Sequence, residues 1–228
     1  YPIYGDLQNP LWNPAFYFFL KIVNFNYGWF HFMEIMIYWG ASSGMYYLLR
    51  YFGLSRRAAV VFGLSYGLSG FMIGRGQNLI SNLGGLWMPF ALLHILSFLR
   101  KPTLKNSFYM AFFLGLQVTG GYQALTILLV YLVLFLGVRR LVQWLRFRQY
   151  PILDMLKYGV VGVIVTLILC GFTLYVFYDV YPYITRSEGL SDDWLLVGAF
   201  PMPAMENFLI PSYTMVDSDF FGSGASFR

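Results

Sequence analysis

The chain has 228 residues, of which 58% are hydrophobic and 11% are charged, and its formal net charge is +5. Soluble domains carry about 25% charged residues, so this composition excludes an ordinary soluble enzyme and indicates a membrane protein. The positive charge does not indicate nucleic-acid binding, because nucleic-acid binders gather basic residues on a solvated face, whereas here they flank apolar runs. A single cysteine, Cys170, excludes an intrachain disulfide.

The charged residues are segregated along the chain. Eleven of the fifteen Lys and Arg residues fall in residues 50–57, 100–105 and 139–157, which separate long apolar runs. Eight of the ten acidic residues lie instead at Asp6 and from Asp179 onward. Because cytoplasmic loops carry an excess of Lys and Arg, the three basic gaps are predicted to face the cytoplasm. Membrane lipids with anionic headgroups are the predicted partners of this positive charge, and no nucleic acid is expected.

The predicted fold is an all-α, polytopic bundle of about six transmembrane helices in a single membrane domain. Residues 1–26 form an outer loop whose three prolines prevent a continuous helix. A spanning helix needs about 20 apolar residues, with a range of about 17–25. The apolar runs are 27–49, 58–73, 82–99, 106–119, 121–138 and 158–178. The second and fourth runs are short, so they are predicted to cross a locally thinned bilayer or to re-enter partly.

The remaining segments follow from this topology. Six crossings between residues 27 and 178 place both ends outside the cytoplasm, and because both ends stop within polar loops we expect a piece of a longer protein. Residues 139–157 are predicted to form a short interfacial helix. Residues 179–228 are too apolar for a free linker and are expected to pack on the outer mouth of the bundle. Small residues spaced by three or four predict close helix packing; they are Gly63, Gly67, Gly70 and Gly74.

A polar stripe marks the first predicted span. His31, Glu34, Tyr38 and Ser42 follow one another at steps of three, four and four, so they share one helix face. A charged Glu34 in hydrocarbon would cost on the order of 2.5–3.5 kcal/mol, so the stripe is expected to face protein or a wet cavity. It forms either the polar wall of a substrate site or an interhelical hydrogen-bonded pair, and the sequence leaves both open. Two ligands on one helix do not make a metal site without further partners.

Further polar residues lie at the same predicted level. Arg75, Gln77 and Asn78 follow the second span, and Gln123 follows a glycine pair at a later outer turn. A guanidinium binds phosphate in a bidentate manner, so Arg75 is either a phosphate ligand or an anchor to lipid headgroups.

Asp6 is the candidate acid–base residue of the first outer loop. Its carboxylate suits general-base chemistry, yet aspartate in a turn commonly accepts backbone hydrogen bonds, and spacing alone favours that structural role. Asp217 and Asp219 are interpreted as a solvated turn, and His94 as a packed neutral histidine. The chain lacks P-loop, HExxH, GxSxG and paired CxxC motifs, which leaves soluble hydrolases and nucleotidases without support. No metal and no cofactor is predicted.

Several segments together carry a family resemblance. They are GDLQNPLWNP, YYLLRYFGLSRRAAVVFGLSYGLSGFMIGRGQN, WMPF, TGGYQA and AFPMPAMENFLIPSYTMVDSDFFG. With these segments the chain resembles, over essentially its whole length, the YfhO family of bacterial membrane proteins, and looks closest to the branch found in Bacteroidetes-type bacteria. That family is similar to the GT-C glycosyltransferases, many-spanning enzymes that take a sugar from a polyprenyl-phosphate carrier outside the cytoplasm.

The resemblance implies a transferase of the bacterial inner membrane that delivers a sugar to a cell-envelope polymer or lipid acceptor. It implies that Asp6 is the general base, which reverses the preference from spacing, and that Arg75 lies near the donor phosphate. Asp6, Glu34 and Arg75 are then expected around one cleft. The other expected lining residues are His31, Gln77, Asn78 and Gln123. The family often has histidine where this chain has Asn78, so no proton transfer is expected there.

The alternative function is a non-enzymatic membrane protein, either a transporter or an envelope-assembly scaffold. A transporter would be expected to have unwound helices and polar residues near the bilayer midplane. The polar candidates of this chain collect at the outer ends of the predicted spans instead, which favours the transferase.

Overall fold

The computed structural model describes residues 13–17, 27–74, 76, 78–147, 152–180 and 182, and this part of the chain contains helices and no strand. A helical turn over residues 14–17 comes first. The longer elements are α1 (Tyr27–Tyr51), α2 (Arg56–Gly67), α3 (Gly70–Gly74), α4 (Leu79–Arg100), α5 (Leu104–Thr119), α6 (Gln123–Phe147) and α7 (Ile152–Val180). The predicted all-α class is therefore confirmed for the described residues.

Four helical segments are long and apolar enough to cross a membrane. They are Arg56–Gly74, Leu79–Arg100, Gln123–Gln143 and Ile152–Val180. Helix α1 has 25 residues but is not among these four, because its Tyr, Trp, Gly and Ser residues lower its mean hydropathy. Helix α5 has 16 residues and, at about 1.5 Å per residue, is shorter than a hydrocarbon core of about 30 Å. The short run 58–73 thus lies in a candidate span, and the count of six crossings stays a prediction.

The predicted interfacial helix over residues 139–157 is wrong. Helix α6 continues without a break to Phe147, and α7 begins at Ile152. Residues 138–147 contain neither Gly nor Pro, so nothing interrupts the helical hydrogen bonds after the apolar run ends. The extension keeps Leu141 and Leu145 exposed. The amphipathic residues 139–147 therefore form the last part of the long helix α6.

Helix α4 lies at the centre of the described bundle and packs against α1, α5 and α6. Helix α1 also pairs with α2, and α5 pairs with α7. One core cluster joins α1, α3 and α4 and contains Ile37, Ala41, Met72, Leu83 and Leu86. A second joins α4, α5 and α6 and contains Ala91, Ile95, Phe98, Met110 and Leu129. Because neighbours surround α4, its residues 81–86 are buried without interruption.

Hydrogen bonds between helices show which helix ends lie together at each end of the bundle. The Tyr51 hydroxyl donates to the Leu96 carbonyl at 3.2 Å, and the Ser107 hydroxyl donates to the Tyr158 carbonyl at 2.6 Å. These bonds place the end of α1, the end of α4, and the starts of α5 and α7 together. All described Lys and Arg residues lie at or near this end, which we call the basic end: Arg50, Arg56, Arg57, Arg100, Lys101, Lys105, Arg139, Arg140, Arg146 and Lys157. The opposite end, which holds the start of α1, the end of α3 and the turn between α5 and α6, is called the distal end.

The histidine in α4 is packed, as the sequence predicted. The His94 ring stacks on Phe113 with 4.7 Å between ring centroids, and it also stacks on Tyr109 at 5.3 Å. Phe90 stacks on the same Phe113 ring at 5.3 Å. This aromatic column holds α4 against α5 and gives His94 a structural role.

Pro89 lies inside α4 and removes one backbone hydrogen bond. Proline has no N–H, so the carbonyl of Gly85, four residues earlier, lacks its usual helical donor. The Tyr66 hydroxyl of α2 donates to that carbonyl at 2.7 Å. A side chain of a neighbouring helix therefore satisfies the backbone group that proline frees, as bilayer-embedded helices require.

We predict that Tyr66→Phe lowers the free energy of unfolding by about 1 kcal/mol, because the Gly85 carbonyl loses its donor. In a Pro89→Ala background the loss is expected to be smaller, since the alanine N–H can donate to Gly85 instead. Unfolding of the four variants in detergent, as a double-mutant cycle, measures the coupling. Equal losses in both backgrounds would show that Tyr66 does not compensate for Pro89.

Candidate functional site

His31 and Glu34 lie one turn apart near the start of α1, at the distal end. His31 Nδ1 is 3.0 Å from Glu34 Oε2. The His31 side chain is 49% exposed, whereas the Glu34 side chain is 14% exposed. The imidazole therefore lies at the surface and the carboxylate lies toward the protein. His31 and Glu34, which the sequence predicted to share one helix face, therefore contact each other directly.

The second oxygen of Glu34 faces Gly76, just after α3. A Cβ atom built on Gly76 would lie 3.0 Å from Glu34 Oε1 and 3.0 Å from the Tyr38 hydroxyl. The Tyr38 hydroxyl also lies close enough to the Glu34 carboxylate to interact with it electrostatically. Gly76 therefore allows the backbone after α3 to approach the two oxygen atoms closely, and a larger residue would crowd them.

Asn82 of α4 adds an amide to this group. Its side chain is fully buried and interacts with the Tyr38 hydroxyl. This contact links α4 to α1. From the sequence, Asn82 was predicted only as the first residue of a span. The available signal was a polar amide within an apolar run, which commonly faces protein rather than lipid. We call His31, Glu34, Tyr38, Gly76 and Asn82 the Glu34 cluster.

Asn78 and Gln123, which were predicted to line the same substrate site, have structural partners. Asn78 Oδ1 accepts from the Ser81 N–H at 3.3 Å and caps the start of α4. Gln123 Nε2 donates to the Val118 carbonyl at 3.3 Å, across the turn between α5 and α6. These contacts hold the two side chains at helix ends, and their predicted place in a substrate site stays a prediction.

Three predicted site residues, Asp6, Arg75 and Gln77, lie outside the described residues, as do Asp217 and Asp219. The expected cleft shared by Asp6, Glu34 and Arg75 therefore stays a prediction. Within the described ranges, no three His, Cys, Asp or Glu side chains come together in a way that could hold a metal ion.

Asn13 attaches the first described segment to α5. It is fully buried, and its Nδ2 donates to the Leu116 carbonyl at 3.0 Å and to Thr119 Oγ1 at 3.1 Å. Its Oδ1 accepts from the Phe16 N–H at 3.2 Å, which caps the helical turn over residues 14–17. One side chain thus satisfies a carbonyl near the end of α5 and starts a new helical turn. The sequence signal was asparagine followed by proline, the residues preferred at the cap and first position of a helix.

Two residues of that helical turn help to line an apolar groove between α1 and α4. The groove has a volume of about 210 Å³ and is lined by Ala15, Phe16, Met33, Met36, Ile37, Leu83, Leu86 and Trp87. Among the described residues, none of the predicted site residues His31, Glu34, Asn78 and Gln123 lines it. Positions 33, 36 and 37 lie on a different face of α1 from positions 31, 34 and 38, so the groove and the Glu34 cluster are separate features.

Comparison of the chain with protein-family models, curated proteins and solved structures finds no match. The function therefore has to be argued from the residues themselves.

Proposed function

We propose that this chain is a membrane glycosyltransferase that moves a sugar from a polyprenyl-phosphate carrier to a cell-envelope acceptor. The observation that carries the proposal is the Glu34 cluster, a group of acid–base and hydroxyl side chains at the distal end of an apolar bundle. A lipid-linked sugar presents its polar part at one membrane surface, so its site has to lie at the end of a bundle. The resemblance of the sequence motifs to the YfhO family supports the same class.

In the proposed reaction, an acceptor hydroxyl oxygen attacks the anomeric carbon of the sugar and forms the new glycosidic bond. The bond from that carbon to the carrier phosphate breaks, and the polyprenyl phosphate leaves with the electron pair. Asp6 takes the hydroxyl proton, and the attack from the opposite face inverts the anomeric configuration. Arg75 binds the leaving phosphate, as a guanidinium does well.

The Glu34 cluster has a binding role in this scheme. The Glu34 carboxylate and the Tyr38 hydroxyl provide hydrogen-bonding groups for sugar hydroxyls, and His31 closes the site toward the surface. The proposed location is a bacterial inner membrane, with the distal end outside the cytoplasm. The concentration of cations at the opposite end supports this orientation.

One observation favours the transporter alternative. The segment Arg56–Gly74 is interrupted at Leu68 and Ser69, and interrupted helices are typical of transporter binding sites. Its backbone nevertheless stays hydrogen-bonded, because Leu68 N–H donates to Leu64 at 2.9 Å and Ser69 N–H donates to Tyr66 at 3.1 Å. The interruption also lies near the distal end of the segment. We therefore keep the transporter as the second candidate.

Disruption of the gene, followed by mass spectrometry of lipid-linked sugars, tests the proposal. A transferase predicts that one polyprenyl-phosphate sugar accumulates, that the envelope loses the matching sugar, and that the full-length wild-type gene restores both. Unchanged pools of lipid-linked sugars would contradict the proposal. Unchanged pools together with altered uptake of a solute would instead support the transporter.

A further inference from the structure

The positive charge at the basic end includes a compact group where α4 meets α5. Arg100 and Lys101 end α4, and Lys105 lies in the first turn of α5. None of these three cations forms an ion pair with a described residue. Within the described part of the chain, the ion pair joins His31 to Glu34, at the distal end. Their charge is therefore available to an external anion.

The loop between α4 and α5 is held by hydrogen bonds. Asn106 Nδ2 donates to the Lys101 carbonyl at 2.8 Å, and the Asn106 N–H donates to Thr103 Oγ1 at 3.3 Å. The Lys101 N–H donates to the Ser97 carbonyl at 3.0 Å. These bonds fix the backbone between the two helices, so the cations project from a defined turn.

Aromatic rings position two of these cations without neutralising them. The Arg100 guanidinium carbon lies 6.0 Å from the centre of the Tyr51 ring, and Lys105 Nζ lies 5.9 Å from the centre of the Tyr109 ring. Tyr51 itself is fixed by its hydrogen bond to the Leu96 carbonyl. Cation–π contacts of this length are weak, but they restrict the side chains and leave the full positive charge in place.

An exposed apolar surface adjoins the cations. Leu104 is 47% exposed and Phe108 is 48% exposed, one turn apart on the helix that carries Lys105. A soluble phosphate would use only the charged groups. An anionic phospholipid would use both, because its phosphate lies at the headgroup level while its acyl chains run beside the helix.

We propose that Arg100, Lys101 and Lys105 bind the phosphate of one anionic phospholipid, whose acyl chain lies along Leu104 and Phe108. This site lies at the opposite end of the bundle from the Glu34 cluster, so it does not depend on the proposed transfer reaction. Such a site differs from a general attraction between the basic end and anionic lipids, because the lipid binds at the turn between α4 and α5. The neighbouring pair Arg56 and Arg57 lies at the same end and serves as the control.

The test uses the full-length protein in a neutral detergent, with tryptophan fluorescence recording the unfolding temperature and native mass spectrometry counting bound lipid. Phosphatidylglycerol is expected to raise the unfolding temperature and to stay bound, whereas phosphatidylcholine and inorganic phosphate are not. Arg100→Gln with Lys105→Gln is expected to weaken the apparent affinity about 30-fold, because each cation near a membrane surface contributes about a fivefold effect. Arg56→Gln with Arg57→Gln removes the same charge and is expected to change the affinity less than about threefold.

Three results would overturn the proposal. If inorganic phosphate stabilises the protein as well as phosphatidylglycerol does, the turn is a free-anion site. If both double variants lose affinity equally, the attraction is diffuse. If phosphatidylglycerol has no effect on the wild-type protein, no lipid site exists. Should the Arg100 double variant fail to fold, the single exposed change Lys105→Gln gives the same comparison, with an expected loss of about fivefold.

Discussion

Replacing Asp6 with asparagine in the full-length protein is expected to slow sugar transfer by about 10²–10⁴-fold, because the amide cannot accept the proton of the acceptor hydroxyl. The change keeps the size and most of the hydrogen bonding of the side chain. Transfer is measured as the rate at which membranes consume the lipid-linked sugar that accumulates in the disrupted strain.

The matched control for this change is Gln8→Asn, a conservative replacement in the same GDLQNP motif. It is expected to leave the rate within about twofold, as changes away from the proton-accepting group do. If Asp6→Asn also stays within about twofold at normal membrane levels, Asp6 is a turn residue and the proposed base is wrong.

The second large effect is expected at Gly67, where α2 crosses α1. A Cβ atom at this position would overlap Ser42 Oγ and would lie 2.6 Å from the Tyr38 carbonyl. A backbone carbonyl cannot rotate away as a side chain can, so α2 has to move. Gly67→Ala is therefore expected to lower the free energy of unfolding by about 1–3 kcal/mol, the usual cost of overpacking.

Gly70 provides the control, because a Cβ atom there would meet nothing within 4 Å. Gly70→Ala is expected to be neutral or stabilising by up to about 1 kcal/mol, since alanine favours helix more than glycine does. Unfolding of both variants in the same detergent checks the difference. Equal stability of the two variants would contradict the close approach of α2 to α1.

The glycines of α2 and α3 show how far the spacing of small residues predicts close helix packing. The four glycines from Gly63 to Gly74 have similar spacing, and all were predicted to pack closely. In the structure Gly63 and Gly67 adjoin the backbone of α1, whereas Gly70 and Gly74 have open space around them. The helix is interrupted at Leu68, which turns α3 out of register with α2, and the sequence pattern does not reveal that change.

Helix positions followed well from apolar runs, although their ends did not. Five of the six predicted runs lie within a described helix or helix pair, and the run 121–138 begins two residues before α6; α4, α6 and α7 extend beyond the ends of their runs. Hydropathy marks where a chain can contact lipid, whereas a helix can continue into polar residues because its backbone hydrogen bonds do not depend on hydropathy. The extension of α6 past Arg139 is the clearest case.

Within the site, local pairs were predictable and distant pairs were not. His31 and Glu34 are three residues apart, so helical periodicity alone brings them together. Asn13 contacts residues more than 100 positions away, and Tyr38 contacts Asn82 on another helix. Such contacts depend on how the helices pack, which one sequence does not specify.

Whether the distal end receives the carrier is tested most directly by thiol labelling of His31→Cys in the full-length protein. The position is half-exposed, and Cys170 is 2% exposed, so the native thiol is expected to give no background. A membrane-impermeant reagent is expected to label this cysteine from outside intact cells, whereas a cysteine replacing Gln149 stays unlabelled. In membranes, added polyprenyl phosphate is expected to slow the labelling at position 31 severalfold. Labelling of position 149 from outside, or a rate at position 31 that the carrier leaves unchanged, would contradict a carrier site at this end of the bundle.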